Sequence, residues 1–214
     1  MRKLSDISVT NKTVALRADL NVPVKEGIIL DDSRIEAVIP TVKYLLTKNC
    51  KIILMSHFGR PKAGTFDPQA SLQPIARRIG EMLNQEVDFI SAIKDVKFKS
   101  TISLLENTRF LIGELENNEE LSKNLGSMAE VYVFDAFGTA HREQASTFGA
   151  IYQANVSCAG LLLEAEIEAL TKAIHSNNKP LLSIVGGSKV STKLEVLKNL
   201  SQFSDHIITG GGIT

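Results

Sequence analysis

Ile52-Ile53-Leu54-Met55 passes at once into Ser56-His57-Phe58-Gly59-Arg60-Pro61-Lys62-Ala63-Gly64. Consecutive apolar side chains leave no polar face to turn toward water, so the first stretch predicts a strand covered on both sides. Such a strand needs helices above and below it, which implies parallel strands joined by helical crossovers. Gly59, Pro61 and Gly64 then end the strand and permit a tight turn, while His57, Arg60 and Lys62 make that turn cationic. Ligands of such sheets collect outside the carboxyl ends of the strands. A cationic loop in that position predicts an anion site.

The same pattern recurs along the chain. Residues 13–18 predict a first strand that leaves through Asp19-Leu20-Asn21-Val22-Pro23. Ile35, Val38, Ile39, Val42 and Leu45 then recur at helical spacing. Ser33 and Glu36 fit a capping box, and Pro40 predicts a kink or a later start. After the strand at 51–56, Leu72, Ile75, Ile79, Met82 and Leu83 mark the buried stripe of a helix over 71–84. A strand is predicted at 87–90, a short helix at 93–96, and a strand at 102–105 leaving through Glu106-Asn107-Thr108-Arg109-Phe110. A helix over 117–129 precedes a strand at 131–134, which leaves through Asp135-Ala136-Phe137-Gly138-Thr139-Ala140-His141-Arg142.

This alternation predicts a three-layer α/β/α, Rossmann-like parallel sheet. Its carboxyl edge gathers Asp19, Asn21, His57, Arg60, Arg109, His141 and Arg142, which the sequence scatters. A long helix over 159–176 follows, then a strand at 181–185, the turn Gly186-Gly187-Ser188-Lys189, a helix over 190–203 and a strand at 206–209 ending in Gly210-Gly211-Gly212. The expected domains are 1–158, a connecting helix at 159–179, and the opening β-α-β unit of a second α/β domain at 180–214. That last unit is too small to bury its own apolar face, so it is expected to self-associate.

Composition narrows the function. Lys and Arg number 24, Asp and Glu also 24, so net charge is zero, which argues against nucleic-acid or membrane binding driven by bulk charge. Cys50 and Cys158 have no metal-ligand spacing and are expected to be buried, reduced thiols. The N-terminus lacks an apolar signal core and no apolar run reaches membrane-spanning length, so a cytoplasmic protein is expected. No spacing suggests a protein metal site, and no Gly-x-Ser-x-Gly elbow occurs.

Arg34, Arg60, Arg109 and Arg142, with His57 and His141, would form a dense cationic basin. Guanidinium forks grip phosphate and carboxylate oxygens in pairs. Asp19 and Asn21 can bond a hydroxyl lying between two anionic ends. A small, doubly anionic ligand such as a phosphorylated hydroxy acid fits; the alternative is that each arginine pairs with a surface acid. Gly186-Gly187-Ser188-Lys189 opens a helix and can hold phosphate, with Lys189 and Lys193 adding charge, or can serve packing alone. It is not the standard P-loop.

Six ordered stretches resemble the phosphoglycerate kinase family: Arg17-x-Asp19-x-Asn21-Val22-Pro23, Asp32-Ser33-Arg34-Ile35, Ser56 to Lys62, Leu105 to Phe110, Asp135 to Arg142, and Gly186 to Val190. The resemblance implies a two-domain hinge kinase that moves a phosphoryl group between 1,3-bisphosphoglycerate and ADP with magnesium. It implies that Asp19, Asn21, Arg34, His57, Arg60, Arg109 and Arg142 hold 3-phosphoglycerate, with Arg34 also facing the transferred group. Lys189 would neutralise transition-state charge and Lys193 would touch nucleotide phosphates. Gly187, Gly210, Gly211 and Gly212 would border the nucleoside of ATP or ADP. The magnesium ligand and most of the nucleotide pocket would lie beyond Thr214. Thr192, Phe134 and Gln144 depart from the family's common acid, Asn and His. Two expectations follow: an N-terminal part of such a kinase that binds 3-phosphoglycerate without turnover, or a stand-alone phosphoacid-binding or assembly module.

Overall fold

A computed structural model describes residues 1–93, 99–175, 179–187 and 193–214. The helix expected over 93–96 falls largely outside the described residues, as do Lys189 and Thr192. The elements in chain order are β1 (Thr13–Ala18), β2 (Val24–Lys25), β3 (Ile28–Ile29), α1 (Ser33–Thr47), β4 (Lys51–Met55), α2 (Gln73–Leu83), β5 (Val87–Ile90) and β6 (Ile102–Leu105). There follow α3 (Glu119–Ser127), β7 (Val131–Asp135), α4 (Ala150–Gln153), β8 (Ser157–Ala159), α5 (Leu161–His175), β9 (Leu182–Gly187), α6 (Leu194–Leu200) and β10 (His206–Gly211). The chain forms two compact units, Met1–Ala165 and Glu166–Thr214.

The first unit is built on a six-stranded sheet in the order β5-β6-β4-β1-β7-β8, every pair parallel. Leu16 lies opposite Leu54 on one side and Val133 on the other, so the central strands end together. Side chains alternate between two cores as strand geometry requires. Leu16, Leu54 and Val133 join Ile35, Val42, Ile75 and Ile79 of α1 and α2 on one face. Ala15, Ile53, Met55 and Tyr132 join Leu121 and Leu125 of α3 on the other. Among the described residues no helix is long and apolar enough to cross a membrane. Cys50 and Cys158 are both free and buried.

Local details differ from expectation at α1. The helix starts at Ser33 and runs through Pro40 without a later start. Pro40 sits on the exposed side, where the carbonyl of Glu36 that loses its amide partner can be hydrated. The capping box does not form, because Asp32 is the N-cap and Ser33 lies one residue inside. Asp31 Oδ1 instead accepts from the Ser33 amide at 2.8 Å. The strand β8 was not foreseen. It pairs Cys158 with Val133, and the backbone carbonyl of Arg2 accepts from Ala159 along its outer edge at 3.0 Å.

Asp135, at the end of β7, ties three elements together. Its Oδ1 accepts from the Leu163 amide at 2.8 Å and its Oδ2 from the Thr41 hydroxyl at 2.6 Å. The carboxylate therefore sits at the N-terminal turn of α5, where the helix dipole favours it. Burial nevertheless pushes its pKa up. Gly160 makes the close approach possible, because a Cβ there would lie 2.3 Å from Asp135 Cγ.

Within the second unit, β9 and β10 form a parallel pair from His206 opposite Leu182 to Gly211 opposite Gly187. Ile184 is 72% exposed, and Leu182 and Ile208 are each 50% exposed on the same two strands. A self-sufficient module would place polar residues there.

Gly160→Ala is expected to destabilise the protein by about 1–3 kcal/mol, because the added methyl must displace a buried carboxylate from its two donors. Urea denaturation followed by circular dichroism checks this; a midpoint equal to that of the parent chain would contradict it.

Candidate active site

Four strand exits meet at the carboxyl edge, and a buried arginine underlies them. Arg17 of β1 is fully buried. Its Nε donates to Ser146 Oγ at 2.9 Å, and its Nη1 donates to the Ala18 carbonyl. Ser146 in turn donates from Oγ to Glu114 Oε1 at 2.5 Å and from its amide to Glu114 Oε2 at 2.9 Å. Tyr132 OH donates to the Ser146 carbonyl at 2.5 Å. Ser146 lies in a π-helical turn, Ala145–Gly149, the type of local bulge often found at functional sites.

Above this base sits His57, only 3% exposed. Arg17 Nη2 lies 3.4 Å from His57 Nδ1, and Arg142 Nη1 lies 3.2 Å from His57 Nε2. Ser56 fixes the backbone beneath the ring: its Oγ accepts from the Leu20 amide and donates to the His57 carbonyl, both at 2.9 Å.

Asp19 and Asn21 leave β1 on the same edge. Asp19 Oδ2 accepts from Arg34 Nη1 at 2.6 Å, and Asp19 Oδ1 accepts from the Asn21 amide at 3.2 Å. Asn21 Oδ1 accepts from the Gly59 amide at 2.9 Å, which joins the exits of β1 and β4. The left-handed φ of +57° at Gly59 is why glycine suits that turn. Gly138, in the exit of β7, lies against Asp19: a Cβ there would be 3.6 Å from its Oδ2.

Asn107 clasps the exit of β6 to that of β4. Its Oδ1 accepts from the amides of Phe58 and Arg109, and its Nδ2 donates to the carbonyls of Phe58 and Ala70. Arg109 is thereby held at the basin, and its Nε is buried with no hydrogen-bond partner. Burial and then the charge of Arg142 lower its pKa, with smaller contributions from Arg17 and Arg60. Arg60 and His141 are exposed.

The structure thus brings Asp19, Asn21, Arg34, His57, Arg60, Arg109 and Arg142 to one edge. Burial pushes the His57 pKa down to about 3, and the charges of Arg17, Arg142 and Arg109 act in the same direction while Asp19 opposes them. Burial also lowers the pKa of Arg17, against the opposing pull of Glu114, Tyr132 and Asp19, and Glu114 opposes the lowering at Arg109 as well.

The glycines at the ends of β9 and β10 belong to the second unit. Gly187 has φ +147° and Gly211 has φ +67°, conformations that favour glycine, and a Cβ at Gly186 or Gly210 would meet nothing within 4 Å. Gly212 follows β10 and is exposed, and Lys193 immediately precedes α6. Lys189 lies outside the described residues.

Residues 4–214 match the family model described as phosphoglycerate kinase. The chain belongs to the phosphoglycerate kinase family. It is 48% identical over 212 residues to a phosphoglycerate kinase of Desulfovibrio desulfuricans, covering 99% of this chain and 54% of that one. It is 49% identical over 214 residues to the Haemophilus influenzae protein of that name, covering 99% and 55%. The solved phosphoglycerate kinase of Coxiella burnetii is similar with a TM-score of 0.89 and 44% identity, over 98% of this chain and 54% of that chain. That of Pyrococcus horikoshii has a TM-score of 0.85 at 35% identity, over 100% and 56%. The chain therefore spans about half the length of the relatives it matches.

Arg17 heads the first family-like stretch without an implied role there, and Glu114 and Ser146 lie outside all six. Arg17 did carry a signal, a charge inside the apolar run Val14-Ala15-Leu16-Arg17-Ala18. Glu114 and Ser146 carried none. Of the departures from the family pattern, Phe134 is buried in β7, and Gln144 has a buried Oε1 without a partner.

His57 ties this basin to acid stability. An unfolded histidine takes up its proton near pH 6.5, whereas folded His57 waits until about pH 3. The unfolded chain therefore binds more protons between those values, and His57 removes stability as pH falls through that window. His57→Gln is expected to flatten the dependence of melting temperature on pH between 6.5 and 4. Parallel melting curves for variant and parent would contradict this.

Proposed function

We propose that this chain provides the acid-binding side of the phosphoglycerate kinase reaction, the reversible transfer of a phosphoryl group between 1,3-bisphosphoglycerate and ADP that gives 3-phosphoglycerate and ATP. The observation that carries the reading is the meeting of Arg109, Arg142, His57 and the Arg34–Asp19 pair at one sheet edge. Arg60, Arg109 and Arg142, with His57, would hold the anionic ends of 3-phosphoglycerate. Asp19 and Asn21 would orient its hydroxyl. Arg34, half exposed at the rim, would face the phosphoryl group in transfer. Such transfer needs positioned cations and in-line geometry more than covalent chemistry.

On the nucleotide side, Gly187, Lys193 and the glycines 210–212 would border ATP or ADP, with Lys189 neutralising developing charge. Residues 1–158 would form the acid-binding domain, 159–179 the hinge helix and 180–214 the start of the nucleotide-binding domain, in a cytoplasmic enzyme. Among the described residues no group of three or more His, Cys, Asp or Glu is arranged to hold a metal ion. What these residues would contribute is positioning. We therefore propose binding without turnover for the 214-residue chain, and self-association through the apolar face of β9 and β10.

Isothermal titration of the 214-residue chain with 3-phosphoglycerate is expected to give a single binding event. Arg60→Ala and Arg109→Ala should each weaken it about tenfold or more, as loss of a charge-assisted hydrogen bond does. Absence of heat overturns the reading. Magnesium-dependent ATP formation by the same chain overturns its restriction to binding.

A further inference from the structure

The contacts of His57 contain a conflict. A guanidinium is a donor at every nitrogen and accepts nothing. His57 has a guanidinium against each ring nitrogen, Arg17 at Nδ1 and Arg142 at Nε2. A neutral imidazole has one acceptor nitrogen and one N–H, so only one of these contacts is a hydrogen bond and the other sets N–H against N–H. Protonation would make both contacts repulsive.

The arginine that cannot move decides between them. Arg17 is fully buried and held at Nε by Ser146 and at Nη1 by the Ala18 carbonyl. Ser146 is itself held at both Oγ and amide by Glu114. Arg17 Nη2 is therefore aimed at Nδ1 by a rigid chain of partners. Arg142 is only partly buried and forms no ion pair among the described residues. Its guanidinium is the one free to leave. Ser56 pins the backbone that carries the ring, and the ring itself is buried, which leaves it little room to move away.

We propose that Arg17 is a positioning residue that holds His57 as the neutral tautomer with its proton on Nε2, and that Arg142 turns from Nε2 to a ligand oxygen that accepts from both. The second half rests on the reading of the basin as a phosphoglycerate site. An anionic oxygen between Nε2–H and the Arg142 guanidinium replaces two opposed donors by two hydrogen bonds to one acceptor. The basin is thus built with a mismatch that an anion removes. Cations and neutral molecules without a strong acceptor leave it in place, so this is a device for selecting anions. The charged groups around the ring are Arg17 and Asp19 from β1 and its exit, Arg109 from the exit of β6, and Arg142 from the exit of β7. Three of the four disfavour the imidazolium, in line with the depressed pKa.

The test is nitrogen NMR of the 214-residue chain with ring-labelled histidine. For the free protein, His57 is expected to show an unprotonated Nδ1 and a protonated Nε2, unchanged from pH 5 to pH 8. A proton on Nδ1, or a charged ring in that range, overturns the proposal whatever the variants do. Arg17→Lys keeps the charge but loses the fork. It should shift His57 toward the other tautomer and weaken 3-phosphoglycerate about tenfold. A folded Arg17→Lys chain with the parent tautomer overturns the positioning role. If that variant fails to fold, Ser146→Ala, which frees Arg17 Nε, should produce the same shift of tautomer in smaller degree, and no shift overturns it. On titration with 3-phosphoglycerate the Nε2–H signal should move while Nδ1 stays. Movement at Nδ1 instead overturns the exchange at Arg142. Failure of 3-phosphoglycerate to bind, seen by calorimetry, removes the site reading and the exchange with it, while the tautomer is still decided by the free protein.

Discussion

A guanidinium buried in protein must keep its charge and must find acceptors for its donors, and Arg17 sets both conditions at the centre of the sheet. Glu114 lies one residue beyond it through Ser146 and is the leading opposing charge. That need explains the π-helical turn over Ala145–Gly149, which presents the Ser146 hydroxyl, amide and carbonyl to Arg17, Glu114 and Tyr132. The loop that carries Arg142 is anchored by the same turn, because Thr147 Oγ1 donates to the Arg142 carbonyl at 2.6 Å. Removing Arg17 or Glu114 would leave the other as an uncompensated buried charge rather than a tidy gap.

The parallel sheet gives this arrangement its reach. Since β1, β4, β6 and β7 run the same way in near-equal register, each delivers its first polar residues to one place. Short bonds between exits then fix the loops: Asn21 to Gly59, Asn107 to Phe58, and Ser56 to Leu20. All three join side chain to backbone, so they set loop position without consuming the arginines.

How much of this could be read from sequence depended on which force decides each element. Runs such as Ile52 to Met55 are fixed by burial on both faces, and burial shows in composition. The arginines of the basin could be grouped because each follows a strand end. The strand β8 could not be read, because Ser157, Cys158 and Ala159 form too short a run to show a period and are defined by pairing with β7. Pro40 does not delay the start of α1, because it lies off the apolar stripe of Ile35, Val38, Val42 and Leu45, on the side where the freed Glu36 carbonyl meets water. Glu114 and Ser146 were invisible because their partner is distant in sequence and their role is to neutralise it. The unit at 180–214 was expected to leave apolar surface uncovered, and Leu182, Ile184 and Ile208 are exposed, whereas Leu181 and Ile207 are half-buried.

The depth of Arg17 has a consequence for how the basin feels its solvent. Dissolved ions crowd around the guanidinium of Arg34, whose side chain is 51% exposed, and blunt its field over roughly 8–10 Å at physiological ionic strength. They cannot reach Arg17, which has no exposed surface. Added salt therefore dims the outer rim of positive potential, while the buried Arg17–Ser146–Glu114 chain, out of reach of dissolved ions, goes on holding the floor of the basin in shape in brine that silences its edge.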